Sequence, residues 1–178
     1  RVMDLDPGSG VELMGSLAAA REVRKRLNDL KLESFVKTTG GKGLHVVLSI
    51  KPVPWDAAKD FCRRMAEQMA ADSPDRFTAT IKKVARNNRI FIDYLRNSRE
   101  ATAIAPYSTR ARPGATVSVP LTWEELRSQK TSNAFTVENL PKRLAGLRRD
   151  PWEKIGRVKQ ALPAAGGGKA KARHSRAK

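Results

Sequence analysis

Apolar and polar positions recur along this chain with two different periods, and each period predicts its own kind of element. Val2-Met3-Asp4-Leu5 reads as a short strand closed by the turn formers Pro7-Gly8-Ser9-Gly10. From Val11 to Leu30 the residues Leu13, Leu17, Ala20, Val23, Leu27 and Leu30 step by threes and fours, predicting an amphipathic helix. Arg21, Arg24, Lys25 and Arg26 fall on its other face. Ser34–Lys37 is a candidate strand, Thr38–Gly43 a glycine-rich loop, and Leu44–Ile50 a strongly β-prone run. A second helix is predicted after Trp55, with Ala58, Phe61, Met65 and Met69 turned inward. A further strand is predicted over Ile90–Arg96, and Ala101–Ala105 reads as another buried strand. Thr122 suits the N-cap of a short helix opening at Trp123, and Asp150-Pro151-Trp152-Glu153 resembles another helix start with Pro at the first position.

Composition narrows the partners. The 178 residues include 35 Lys and Arg against 18 Asp and Glu, a net charge of +17, and 40% are hydrophobic. One domain with a real core is expected, and its charge favours a polyphosphate or nucleic acid. No membrane partner is expected, because no apolar run approaches the ~20 residues that span a bilayer. The single cysteine, Cys62, excludes an intrachain disulfide, suits a reducing compartment and reads as a small core residue. Arg1-Val2-Met3-Asp4 lacks the apolar core of a signal peptide, and the abrupt start at a chemical motif suggests a fragment. From Pro163 the chain turns to Ala, Gly, Lys and Arg, so residues 1–162 are expected to form the domain and 163–178 a flexible basic tail or linker.

Candidate chemistry gathers in three places. Asp4 and Asp6 are two apart and share one face of a strand; Asp93 interrupts the apolar run Ile90-Phe91-Ile92. Carboxylates in such settings are costly unless paired or metal-bound, and three that converge suit two divalent cations in phosphoryl transfer. Asp before Pro-Gly is also an ordinary turn, and two Asp two apart faintly resemble the nucleophile motif of haloacid-dehalogenase-type phosphatases. In Thr38-Thr39-Gly40-Gly41-Lys42-Gly43-Leu44-His45, glycines let backbone N–H groups approach phosphate, with hydroxyl and lysine donors beside them. A hairpin turn with a solvated lysine and a structural His45 would read the same way. Arg86, Arg89, Arg96, Arg99, Arg110 and Arg112 surround the Asp93 strand. Charge runs are usually solvated, which is the expectation for Arg89, Arg99 and Arg112, whereas Arg96 lies three residues after Asp93 at the end of its strand.

Four segments in order resemble the polymerase/primase domain of bacterial DNA ligase D, in the archaeo-eukaryotic primase superfamily. They are Asp4–Gly8, Phe35–His45, Ile90–Asn97 and Ala105–Gly114, and the resemblance runs from Arg1 to about Trp152. It implies an α+β fold, an antiparallel sheet like an RNA-recognition motif with flanking helices, truncated at its N-terminus. It implies primer extension, gap filling and end addition in bacterial non-homologous end joining, with ribonucleotides favoured and manganese or magnesium as cofactor. Asp4, Asp6 and Asp93 would be the catalytic, metal-binding carboxylates, and Thr39, Lys42, His45, Arg86, Arg96 and Arg110 would surround the nucleotide triphosphate. Partners would be DNA with gaps or double-strand ends, a ligase domain and a Ku-like end-binding protein, in the bacterial cytoplasm at the nucleoid. Thr39 stands where the family usually has serine, which keeps the hydroxyl. By this resemblance, the upstream part of the family domain, which recognises a 5′-phosphate and stacks the incoming base, is expected to be missing from this chain. The other reading is a non-catalytic nucleic-acid-binding fragment of such a domain.

Overall fold

A computed structural model describes residues 1–163; the expected basic tail beyond Pro163 lies outside them. The elements are β1 (Val2–Pro7), α1 (Leu13–Asp29), β2 (Phe35–Thr38), β3 (Leu44–Val47), α2 (Trp55–Asp72), β4 (Phe77–Thr78), β5 (Ile90–Asp93), β6 (Pro120–Leu121), α3 (Trp123–Ser128) and α4 (Leu140–Gly146). One sheet runs β4-β5-β1-β3-β2-β6. All its pairings are antiparallel except β4 with β5. The central order β5-β1-β3-β2, with a helix after β1 and another after β3, is a split βαβ arrangement. The fold is α+β, as expected, with one parallel pair at the sheet edge.

Strand alternation divides the sheet into two chemistries. Met3 and Leu5 of β1 lie opposite Val46 and Leu44 of β3, and Leu5 also lies opposite Ile92 of β5. These side chains are buried together with Leu17, Ala20, Val23 and Leu27 of α1, which packs on β1, β3 and β5. Each such aliphatic side chain contributes about 1.5–3 kcal/mol on burial. Cys62 sits in the same core, where burial pushes its thiol up to about 11 and leaves it inert. Asp4, Asp6, His45, Lys37 and Asp93 occupy the alternate positions and therefore face away from α1.

Three expectations fail for identifiable reasons. The Ile90 strand ends at Asp93 because Asp93 Oδ1 accepts from the Leu95 N–H at 2.8 Å, an Asx turn that starts a 3₁₀ turn over Leu95–Asn97. Arg96 is therefore on that turn and not on the strand. Ala101–Ala105 is no strand: it is a largely exposed extended segment with no ladder partner. No helix starts at Asp150, because its Oδ1 accepts from the Trp152 N–H at 2.6 Å, and the Trp152 indole donates to Val36 O at 3.0 Å. That ties 150–157 down as successive turns. Thr122 does cap α3, in a full capping box with Glu125.

Candidate active site

The sheet register lays the candidate groups along one rung. Asp93 of β5 lies opposite Asp4 of β1, Asp4 opposite His45 of β3, and His45 opposite Lys37 of β2. Directly opposed residues share a face with Cβ atoms about 4.5–5.5 Å apart, so the four side chains form a contiguous polar row. Asp6 stands one step further along β1. Asp4, Lys37, His45 and Asp93 are all buried, and Asp6 is exposed.

Arginines neutralise this row. Arg96 Nε lies 3.2 Å from Asp4 Oδ2 and 3.2 Å from Asp93 Oδ2, and Arg86 Nη1 lies 3.1 Å from Asp6 Oδ2. Arg86 is itself fixed by a hydrogen bond to Ile81 O at 2.8 Å and by the Phe91 ring 4.0 Å below its guanidinium. Arg96 is placed by its neighbour: the buried Asn97 accepts from Val2 N at 2.9 Å and donates to Val2 O at 2.7 Å. Asn97 so takes the place of a strand residue where β5 has ended. Burial raises Asp4, but the His45 imidazole, with Nε2 at 3.4 Å, and the Arg96 charge outweigh it and hold Asp4 below the usual carboxylate range. Burial and the neighbouring Asp4 charge raise both Asp6 and Asp93. One carboxylate is kept ionised while two stay easier to protonate.

The glycine-rich loop is the β2–β3 hairpin, with Lys42 exposed at its tip. Thr39 Oγ1 donates to Gly43 O at 3.0 Å and accepts from Gly41 N at 3.2 Å, which folds the loop flat. A Cβ on Gly43 would lie 2.6 Å from Leu5 O, and Gly40 has φ +67° with Arg110 and Val117 pressed against it. Only glycine lets the loop lie this close to β1 and to the strap that follows Tyr107. The result is a cavity of about 680 Å³ walled by Asp4, Asp6, Thr39, Lys42, His45, Arg96 and Arg110. Asp93 and Arg86 do not line the cavity; Asp93 adjoins its wall through Asp4 and Arg96, and Arg86 through Asp6.

Three further features were not expected at the site. Arg112 lines the cavity rather than facing solvent alone, and Thr102–Ala105 supplies its small apolar wall. Lys37 is almost completely buried, with Nζ donating to Ser118 Oγ at 2.6 Å. A lysine inside the apolar run Phe35-Val36-Lys37-Thr38 was the only signal for it.

Oxygen-only donors on one face suit a hard divalent cation. Among the described residues no three His, Cys, Asp or Glu side chains are gathered closely enough to hold an ion as they stand. Arg96 instead occupies the position between Asp4 and Asp93 as a cationic stand-in. The carboxylates thus suit such an ion in kind, while Arg96 stands between two of them.

The family described as "LigD, primase-polymerase domain" matches residues 1–152. The chain belongs to that family. Among LigD primase-polymerase relatives, the multifunctional non-homologous end joining protein LigD of Pseudomonas aeruginosa is 40% identical over 166 residues, covering 92% of this chain and 20% of that protein. The bifunctional LigD of Bacillus subtilis is 30% identical over 145 residues, covering 80% of this chain and 24% of that protein. A solved polymerase domain from Mycobacterium tuberculosis Ligase D, in complex with DNA, superposes with a TM-score of 0.78 at 35% identity, covering 86% of this chain and 53% of that one. The chain thus spans about a fifth to a quarter of the length of these two curated LigD relatives. No helix among the described residues is long and apolar enough to cross a membrane.

Proposed function

We propose that this chain is a nucleotidyl-transfer module of non-homologous end joining, extending primers on gapped or broken DNA. The observation that carries the proposal is the Asp93–Asp4–His45 rung at the edge of a cavity walled by Lys42, Arg96, Arg110 and Arg112. Carboxylates and cationic donors around one cavity match a nucleotide whose triphosphate must be gripped while its α-phosphate is attacked. In each addition a primer 3′ oxygen bonds to the α-phosphorus, and the bond to the β-phosphate oxygen breaks to release pyrophosphate.

Asp4, Asp6 and Asp93 would hold divalent cations, magnesium or manganese, which when bound stabilise charge on the attacking and leaving oxygens. The remaining roles belong to this chain's own groups. Arg110 and Lys42 bind phosphate oxygens, with Thr39 Oγ1 and the Gly41 and Gly43 backbone beside them. His45, buried against Asp4 with an unpartnered Nδ1, orients the triphosphate from the cavity floor. Arg86 restrains Asp6, and Arg96, held between Asp4 and Asp93 on the cavity wall, would add a guanidinium donor for phosphate oxygens. Ribonucleotides are the favoured substrates, and the full protein would work with a ligase domain and a Ku-like end-binding partner.

Asp93→Asn tests this reading against a purely DNA-binding fragment. At least about a hundred-fold loss of nucleotide incorporation is expected, with DNA affinity retained. A folded parent that binds DNA but adds no nucleotide with manganese present would leave only the binding reading.

A further inference from the structure

Lys37 is 2% exposed, and among the described residues it pairs with no carboxylate; its ammonium makes one hydrogen bond, to Ser118 Oγ at 2.6 Å. Ser118 is itself fully buried, and its hydroxyl donates to Thr38 O at 2.8 Å. An ammonium has three donors and is costly to bury uncompensated, by several kcal/mol. A methionine would fill the same volume without that cost. The groups around it balance its charge only in part: His45 lies opposite on β3 and Pro120 opposite on β6, while Asp4, one strand further beyond His45, attracts the ammonium and Arg110 repels it, and burial outweighs both. Burial accordingly lowers its pKa to about 8.

Resting on the nucleotide reading above, we infer that Lys37 is an electrostatic positioning residue: a buried charge beneath the cavity floor that the phosphates of a bound nucleotide neutralise. It is not on the cavity wall and acts past His45, its neighbour across the β2–β3 ladder, which does line the cavity. The fold holds this charge in readiness, and the ligand supplies the counter-charge.

The test is ATP binding with Mg²⁺ and without DNA, so that no turnover occurs. Lys37→Met is expected to bind ATP at least about ten-fold more weakly while its unliganded Tm is no lower than that of the parent. Ser118→Ala, which keeps the charge and removes the hydrogen bond, is expected to stay within about two-fold of the parent. Parent-like ATP affinity in Lys37→Met, or an equal loss in Ser118→Ala, overturns the inference. Arg110→Met separates the two levels. If it and Lys37→Met both bind ATP as the parent does, the nucleotide site itself fails; if only Arg110→Met is weakened, Lys37 alone is wrong. Should Lys37→Met not fold, the parent carries the test: its ATP affinity should fall as pH rises through about 8, and an affinity flat across that range overturns the inference.

Discussion

Asp4 and Asp93 face each other directly across the β1–β5 ladder, and Arg96 reaches one oxygen of each at 3.2 Å. Two carboxylates so close repel unless a cation stands between them. Removing the arginine should therefore destabilise the empty protein, and a divalent cation should compensate. Arg96→Gln is expected to lose about 1–2 kcal/mol, a figure reduced because this guanidinium is partly solvated. Thermal melts with and without Mn²⁺ check this: the cation should raise the Tm of the variant by more than it raises that of the parent.

Asn97 grips both backbone groups of Val2, at 2.9 and 2.7 Å. Loss of these buried hydrogen bonds in Asn97→Ala should cost about 2–4 kcal/mol in urea unfolding. The same change frees the 3₁₀ turn that carries Arg96. Nucleotide incorporation should then fall even under conditions where the variant is fully folded.

Gly43 is a steric requirement rather than a flexible point, since its φ is ordinary and the obstacle is Leu5 O at 2.6 Å from a Cβ. Gly43→Ala must push the loop off β1. A loss of about 1–3 kcal/mol is expected, together with a raised KM for nucleotide as the loop shifts. Denaturation and steady-state kinetics on the same preparation measure both.

Lys37 links stability to pH. Its pKa is lowered from 10.5 to about 8 in the fold, chiefly by burial. Between those values the unfolded chain holds the proton and the folded one does not, so stability rises with pH across that window by up to about 3 kcal/mol. Below the window both states are protonated, and this group adds no further slope. Unfolding midpoints of the parent and Lys37→Met, compared at about pH 7 and about pH 10, should converge as pH rises. A constant difference would contradict the assignment.

The sequence made the central elements legible, because α1 and α2 each bury one periodic apolar stripe and β1, β2, β3 and β5 are short β-prone runs bounded by turn formers or polar residues. It could not reveal β4 or β6, which are two residues long and exist only because a neighbour offers a ladder. Ala101–Ala105 misleads because small apolar residues suit a cavity wall as well as a core strand. Asp93 carries a second message that periodicity cannot express: the side chain that suits a cation also ends its own strand by bonding Leu95. Lys37 escaped for a longer-range reason. Its burial and its Ser118 contact come from a segment 81 residues away in the chain.

The most direct measurement is primer extension on gapped DNA carrying a 5′-phosphate, with ribonucleotides and manganese, comparing this chain with Asp4→Ala/Asp6→Ala. Incorporation by the parent and its loss in the double variant are expected, with both proteins folded. Equal incorporation by both would contradict a carboxylate-dependent site on this rung, and none by a folded parent would contradict nucleotidyl transfer by this chain.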